Sequence, residues 1–143
     1  MTKRNDTTAL VGRVLLGVLF LMSGLGKLAA PAATQGYIAA VGLPLPFVAY
    51  LGSTGVEVIG GVLLIIGLQT RLAASALAVF TLLTAVFFHN NFADQNQMIH
   101  FMKNIAIIGG LLQVAAFGAG AFSLDRRFNR SVAPSAHAVA AAK

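Results

Sequence analysis

Glu57 stands alone as a carboxylate in GSTGVEVIGGVLLIIGLQTR, residues 52–71, among apolar and small neighbours. An ionised carboxylate in such surroundings is costly unless cations or hydrogen-bond donors compensate it. Next to a base it can hold or exchange a proton, or orient the polar head of a bound molecule. The residues able to join it are few. His100, Lys103 and Asn104 form one polar stripe at helical spacing, and Arg13 is a base within another apolar run. Glu57, Lys103, Asn104, Arg13 and His100 are therefore the candidate intramembrane polar or ligand-binding cluster. Lys27, His89, Ser53 and Thr54 are secondary candidates. Lys27 lies near the end of its run, where a lysine snorkels to headgroups.

Other chemistries are narrowed by composition. There are no cysteines, which removes disulfides, thiolate catalysis and CxxC redox relays. Electrons in any redox role must pass through a cofactor, a quinone or a partner. His89 and His100, with Asp94 between them, raise the question of a haem or a metal. Their spacing is not specific for either, so no metal site is assigned and no haem is expected. His137 lies in the tail, away from these groups. The net charge of +6 does not indicate nucleic acid, because half of the ten bases sit at the chain ends: Lys3, Arg4, Arg126, Arg127 and Arg130. Such clusters beside apolar runs set membrane topology and meet headgroups.

The elements that must position these residues are membrane helices. Of the 143 residues 57% are hydrophobic and only 10% charged, and the mean hydropathy is +0.82. A water-soluble domain carries about a quarter charged residues. Four runs reach the roughly 20 residues that a bilayer requires: about 9–30, 45–68, 71–89 and 97–118. Between the first two, PAATQGYIAAVGLPLP predicts a short interfacial helix with Tyr37 as anchor. The expected fold is thus all-α, a four-helix transmembrane bundle over residues 1–124, followed by a basic, mobile tail over 125–143. A cleaved signal peptide over the first run is disfavoured, since Arg13 and Lys27 fit one poorly and cleavage would leave three spans.

Lys3, Arg4, Arg71, Arg126, Arg127, Arg130 and Lys143 all fall on one side of such a bundle, which places both termini in the cytoplasm. In the first span Arg13, Gly17, Phe20, Gly24 and Lys27 share a face, and its glycines invite close approach by another helix. In the third span Ala74, Ala78, Thr81, Ala85 and His89 line up. Inward-facing stripes of this kind predict a compact bundle with a polar interior. By depth, Glu57 is expected to meet Lys103 and Asn104 from the outer side and Arg13 from the cytoplasmic side.

These landmarks are similar to those of a known family. GRVLLGVLFLMSGLGKLAAP, EVIGGVLLIIGLQTRLAA and KNIAIIGGLLQVAAFGAGAFSLD resemble the DoxX family over about residues 12–125. The polar landmarks are Arg13, Gly24, Lys27, Glu57, Thr70, Arg71, Lys103, Asn104, Ser123, Leu124 and Asp125. The resemblance implies a small four-helix protein of the bacterial inner membrane, named from a subunit linked to quinone-dependent thiosulfate oxidation. It implies a component of a membrane redox system, with a quinone or other small apolar molecule as ligand and a redox partner protein or a second copy as partner. It attaches no catalytic mechanism to the motif residues. The alternative is a non-enzymatic binding, transport or assembly subunit whose charged core is structural.

Overall fold

The computed structural model describes residues 3–132. Those residues form six helices: α1 (Lys3–Ala29), α2 (Pro31–Ala40), α3 (Pro46–Ile66), α4 (Thr70–Phe88), α5 (Gln95–Phe117) and α6 (Leu124–Val132). Four of them, α1, α3, α4 and α5, are long and apolar enough to cross a membrane. α2 is the short helix expected between the first two spans.

Local chemistry explains the breaks. Pro31 and Pro46 each occupy the first turn of a helix, where a missing N–H costs nothing. Gly67 ends α3 at φ 71°, a left-handed cap that favours glycine. Asp94 starts α5 by accepting a hydrogen bond from the Asn96 N–H at 2.8 Å. The segment expected to be a mobile tail begins instead with α6, held to the bundle by contacts described below. Lys143 and His137 lie outside the described residues.

Glycine decides the main packing. A Cβ on Gly17 would lie 2.8 Å from the Gly61 carbonyl oxygen, and one on Gly61 would lie 2.8 Å from the Gly17 oxygen. The α1 and α3 backbones therefore touch, as the small-residue face of α1 requires. Gly60 turns to α4, where a Cβ would meet Leu77 at 2.9 Å. The remaining core, with Phe20, Leu64, Ala74, Leu77 and Leu111 buried, joins all four long helices. α5 leans mainly on α4 and buries only Leu111 completely.

Candidate functional site

The antiparallel register of α1 and α3 sets what Glu57 meets. A Cβ on Gly24 would lie 3.2 Å from the Glu57 Cβ, so residues 23 and 24 are level with Glu57. Ser23 donates to Glu57 Oε1 at 3.1 Å. Lys27, one turn further along α1, reaches back and places Nζ 2.5 Å from Oε2. The same ammonium lies 3.1 Å from the Ser23 hydroxyl. Both carboxylate oxygens are thus satisfied, and the Glu57 side chain is only 6% exposed against 25% for Lys27.

This pair forms part of the wall of a cavity of about 440 Å³ between α1, α2, α3 and α4. The other walls are mostly apolar. Ile38 and Tyr37 come from α2, Ala49 and Gly52 from α3, and Phe80, Leu83, Phe87 and Phe88 from α4. Tyr37 packs on Phe88 with ring centroids 5.3 Å apart, so α2 forms a side wall of the cavity. Ser53, Thr84 and His89 add polar groups to the lining. The Ser53 hydroxyl is engaged by the Tyr50 carbonyl at 3.0 Å, and that of Thr84 by Phe80 at 3.0 Å. A mostly apolar concavity of this size with a few convergent polar groups has the character of a small-molecule site.

The expected partners of Glu57 are corrected by this geometry. Lys103 does not meet it; its side chain is exposed on α5, a helix that packs mainly on α4 and not on α3. Asn104, half-buried, is beside Lys103 and not in the cavity lining. Arg13 is buried at 1% exposure but lies at the other end of α1, about 20 Å from Lys27 at the helical rise. Lys27, ranked behind both, is the base that pairs. Thr54 is buried at 5% exposure, and its hydroxyl has no hydrogen-bond partner among the described residues.

His100 joins the cavity only at second hand. Its ring stacks on His89 with centroids 5.0 Å apart and planes 19° apart. His89 Nδ1 is also 3.0 Å from Gln97 Oε1. The two imidazoles lie face to face instead of turning their nitrogens to a common point, and no group of three or more His, Cys, Asp or Glu converges among the described residues.

Arg13 belongs to a second constellation at the other end of the bundle. Its Nη2 donates to the Phe122 carbonyl at 2.8 Å. The guanidinium presses on Gly67 so closely that no Cβ fits there. Asp125 completes the clamp by accepting from the Gln69 N–H at 2.7 Å and the Thr70 N–H at 2.9 Å, which caps α4 from a distance. Its own N–H donates to the Gly67 carbonyl at 2.9 Å. Burial raises the tendency of Asp125 to stay protonated. The Thr70 and Gln69 donors and the Arg13 charge outweigh that and hold its carboxyl below the usual range. The Thr70 hydroxyl finds no partner of hydrogen-bond geometry, yet it lies close enough to the same carboxylate to favour its charge. Asp6 adds a further tie by accepting from the Ala121 N–H at 3.3 Å.

Sequence reasoning had no place for Ser23, whose only mark is its position four residues before Lys27 on α1. It also gives no role to Phe80, Phe87 and Phe88, which read as ordinary span residues, and takes Tyr37 as an interfacial anchor and not as a cavity wall.

The family model described as DoxX matches residues 8–90. The Inner membrane protein YqjF of Escherichia coli (strain K12) is 44% identical over 133 residues, covering 91% of this chain and 98% of that protein. The Inner membrane protein YphA of the same organism is 35% identical over 123 residues, 82% of this chain and 88% of that protein. A protein of Bacillus subtilis (strain 168) named "Putative oxidoreductase CatD" is 36% identical over 86 residues, 60% of this chain and 62% of its own. No solved structure matches the chain. With a family match over more than half its length and a relative 44% identical over 91% of it, this chain with four membrane-length helices belongs to the DoxX family.

Proposed function

We propose that the protein is a membrane component of a redox system that holds a quinone, or another small apolar molecule with a polar head, in the cavity beside Glu57. One observation carries the reading: buried Glu57, paired with half-buried Lys27, opens onto an aromatic-lined cavity of about 440 Å³ instead of being sealed in the core. A purely structural pair gains nothing from that opening. The Lys27 ammonium is the donor for a carbonyl or phenolate oxygen, and Phe80, Phe87, Phe88 and Tyr37 are the apolar walls for a ring and tail. His89, bonded to Gln97 and stacked on exposed His100, offers an exchangeable proton between the cavity and the end of the bundle. The chain contains no cysteine, so electrons pass through a cofactor, the quinone or a partner protein and not through a thiol relay.

Both termini face the cytoplasm in this reading, with the cavity in the outer half of an inner-membrane bundle. The test is organic extraction of the full chain purified in mild detergent. The reading expects a quinone at close to one per chain, and its oxidised-minus-reduced ultraviolet spectrum identifies it. A second reading, a non-enzymatic binding or assembly subunit, retains one observation in its favour: Ser23 and Lys27 already satisfy both Glu57 oxygens without a ligand.

A further inference from the structure

The opposite end of the bundle carries a larger concavity, of about 690 Å³, between the start of α4, the α5–α6 link and the start of α6. Its cationic walls are Arg71 and Arg126, both exposed. Asp125 also lines it, but both of its oxygens are taken by the Gln69 and Thr70 N–H groups and its charge faces Arg13. The fully buried Thr70 hydroxyl lines the same space, beside the Asp125 carboxylate whose charge it favours. Gly118, at φ 81°, lets Arg71 lie against the link; a Cβ there would be 3.3 Å from the guanidinium Nε.

The rim differs in character. Leu72 and Phe117 are 66% and 71% exposed, at the ends of two spans where hydrocarbon gives way to headgroups. Two guanidinium groups over an apolar rim at that depth match a phosphodiester with acyl chains beneath it. We propose that this concavity seats the phosphate of an anionic phospholipid, with Arg71 and Arg126 as the charged contacts and Leu72 and Phe117 against the chains. The site is independent of the cavity at Glu57.

Native mass spectrometry of the full chain, released from mild detergent containing phosphatidylglycerol and phosphatidylcholine in equal amounts, tests it. The wild type is expected to retain phosphatidylglycerol in preference. Arg71→Gln and Arg126→Gln are each expected to lower that retention about tenfold or more, the loss of a direct charge-assisted hydrogen bond to the phosphate. Arg127→Gln removes the same charge from α6 outside the concavity and is expected to lose no more than about fivefold, the effect of one arginine at a lipid surface. Should Arg71→Gln lower the melting temperature, Arg126→Gln, on a helix outside the spans, decides. Equal losses in Arg126→Gln and Arg127→Gln would show general surface charge and overturn the site. Displacement of the lipid by millimolar inorganic phosphate would show that the seat takes the free ion and overturn the lipid assignment.

Discussion

Lys27 Nζ lies 2.5 Å from Glu57 Oε2, and the two residues sit on antiparallel helices whose backbones touch at Gly17 and Gly61. The glycine contact and the ion pair are one arrangement. Close approach of α1 and α3 brings Ser23 level with the carboxylate, and Lys27 then needs only one helical turn to fold back onto it. The pair is asymmetric, because the carboxylate is buried while the ammonium keeps a quarter of its side chain exposed.

That asymmetry orders the effects of substitution. Lys27→Met strands a buried carboxylate and is expected to cost about 3–5 kcal/mol, the range for breaking a buried pair. Glu57→Gln keeps the Ser23 hydrogen bond and leaves a lysine able to snorkel, so it is expected to cost less than half as much. The double variant Lys27→Met/Glu57→Leu is expected to recover most of the loss. Thermal melting in detergent of the four proteins reads this directly; equal losses for the two single variants would contradict it.

Close packing of α1 on α3 is tested without touching a charge. Gly61→Ala places a methyl 2.8 Å from the Gly17 oxygen and is expected to destabilise by about 1–3 kcal/mol. Gly55→Ala, on the same helix with nothing within 4 Å, is expected to be neutral or slightly stabilising. A melting comparison that ranks them the other way would remove the glycine contact as the organiser of the site.

Much of this was legible in the residues. The face Arg13, Gly17, Phe20, Gly24, Lys27 turns inward as its spacing requires, with Arg13 and Phe20 at 1% and 4% exposure. Spans and caps follow from length, proline and glycine. The choice of partner for Glu57 was not legible, because it depends on interhelical register and on where α5 sits. Spacing along α5 puts His100, Lys103 and Asn104 on one stripe, but nothing within α5 says that it packs on α4 and α1 and not on α3. The Arg13 clamp was hidden for another reason. Its partners, the Phe122 carbonyl and Asp125, follow the last span and meet Arg13 only after the whole bundle has closed.

Lys103 supplies a negative control. Being exposed and remote from Glu57, it is expected to tolerate Lys103→Gln within about 0.5 kcal/mol. A loss as large as that of Lys27→Met, in the same melting assay, would restore it as a partner of the carboxylate.

Asp125 makes the clamp depend on pH. Its carboxyl lies below the usual range in the folded protein, so the stability it contributes is complete above the unfolded value of about 3.9 and is lost as pH falls through the lower folded value. Asp125→Asn keeps one acceptor oxygen for the two N–H donors and is expected to weaken the clamp by about 1 kcal/mol at neutral pH, the scale of one lost hydrogen bond. The difference from wild type is expected to persist at the unfolded value and to vanish only as pH falls through the lower folded value. Hydrogen exchange at the Gln69 and Thr70 amides, the two donors to Asp125, follows the release. A difference that persisted unchanged in acid would contradict the assignment.

The central claim is that a small apolar molecule occupies the cavity beside Glu57 and Lys27. Its most direct measurement is titration of a short-chain quinone against the tyrosine fluorescence of the full chain, since Tyr37 lines the cavity and the chain has no tryptophan. Ala49→Phe, which fills the cavity from α3, serves as the comparison. The account predicts saturable quenching in the wild type and a Kd raised about tenfold or more in Ala49→Phe at unchanged melting temperature, the loss expected for about 1.4 kcal/mol of binding. Saturable binding of equal strength to both proteins, or to neither, would contradict it.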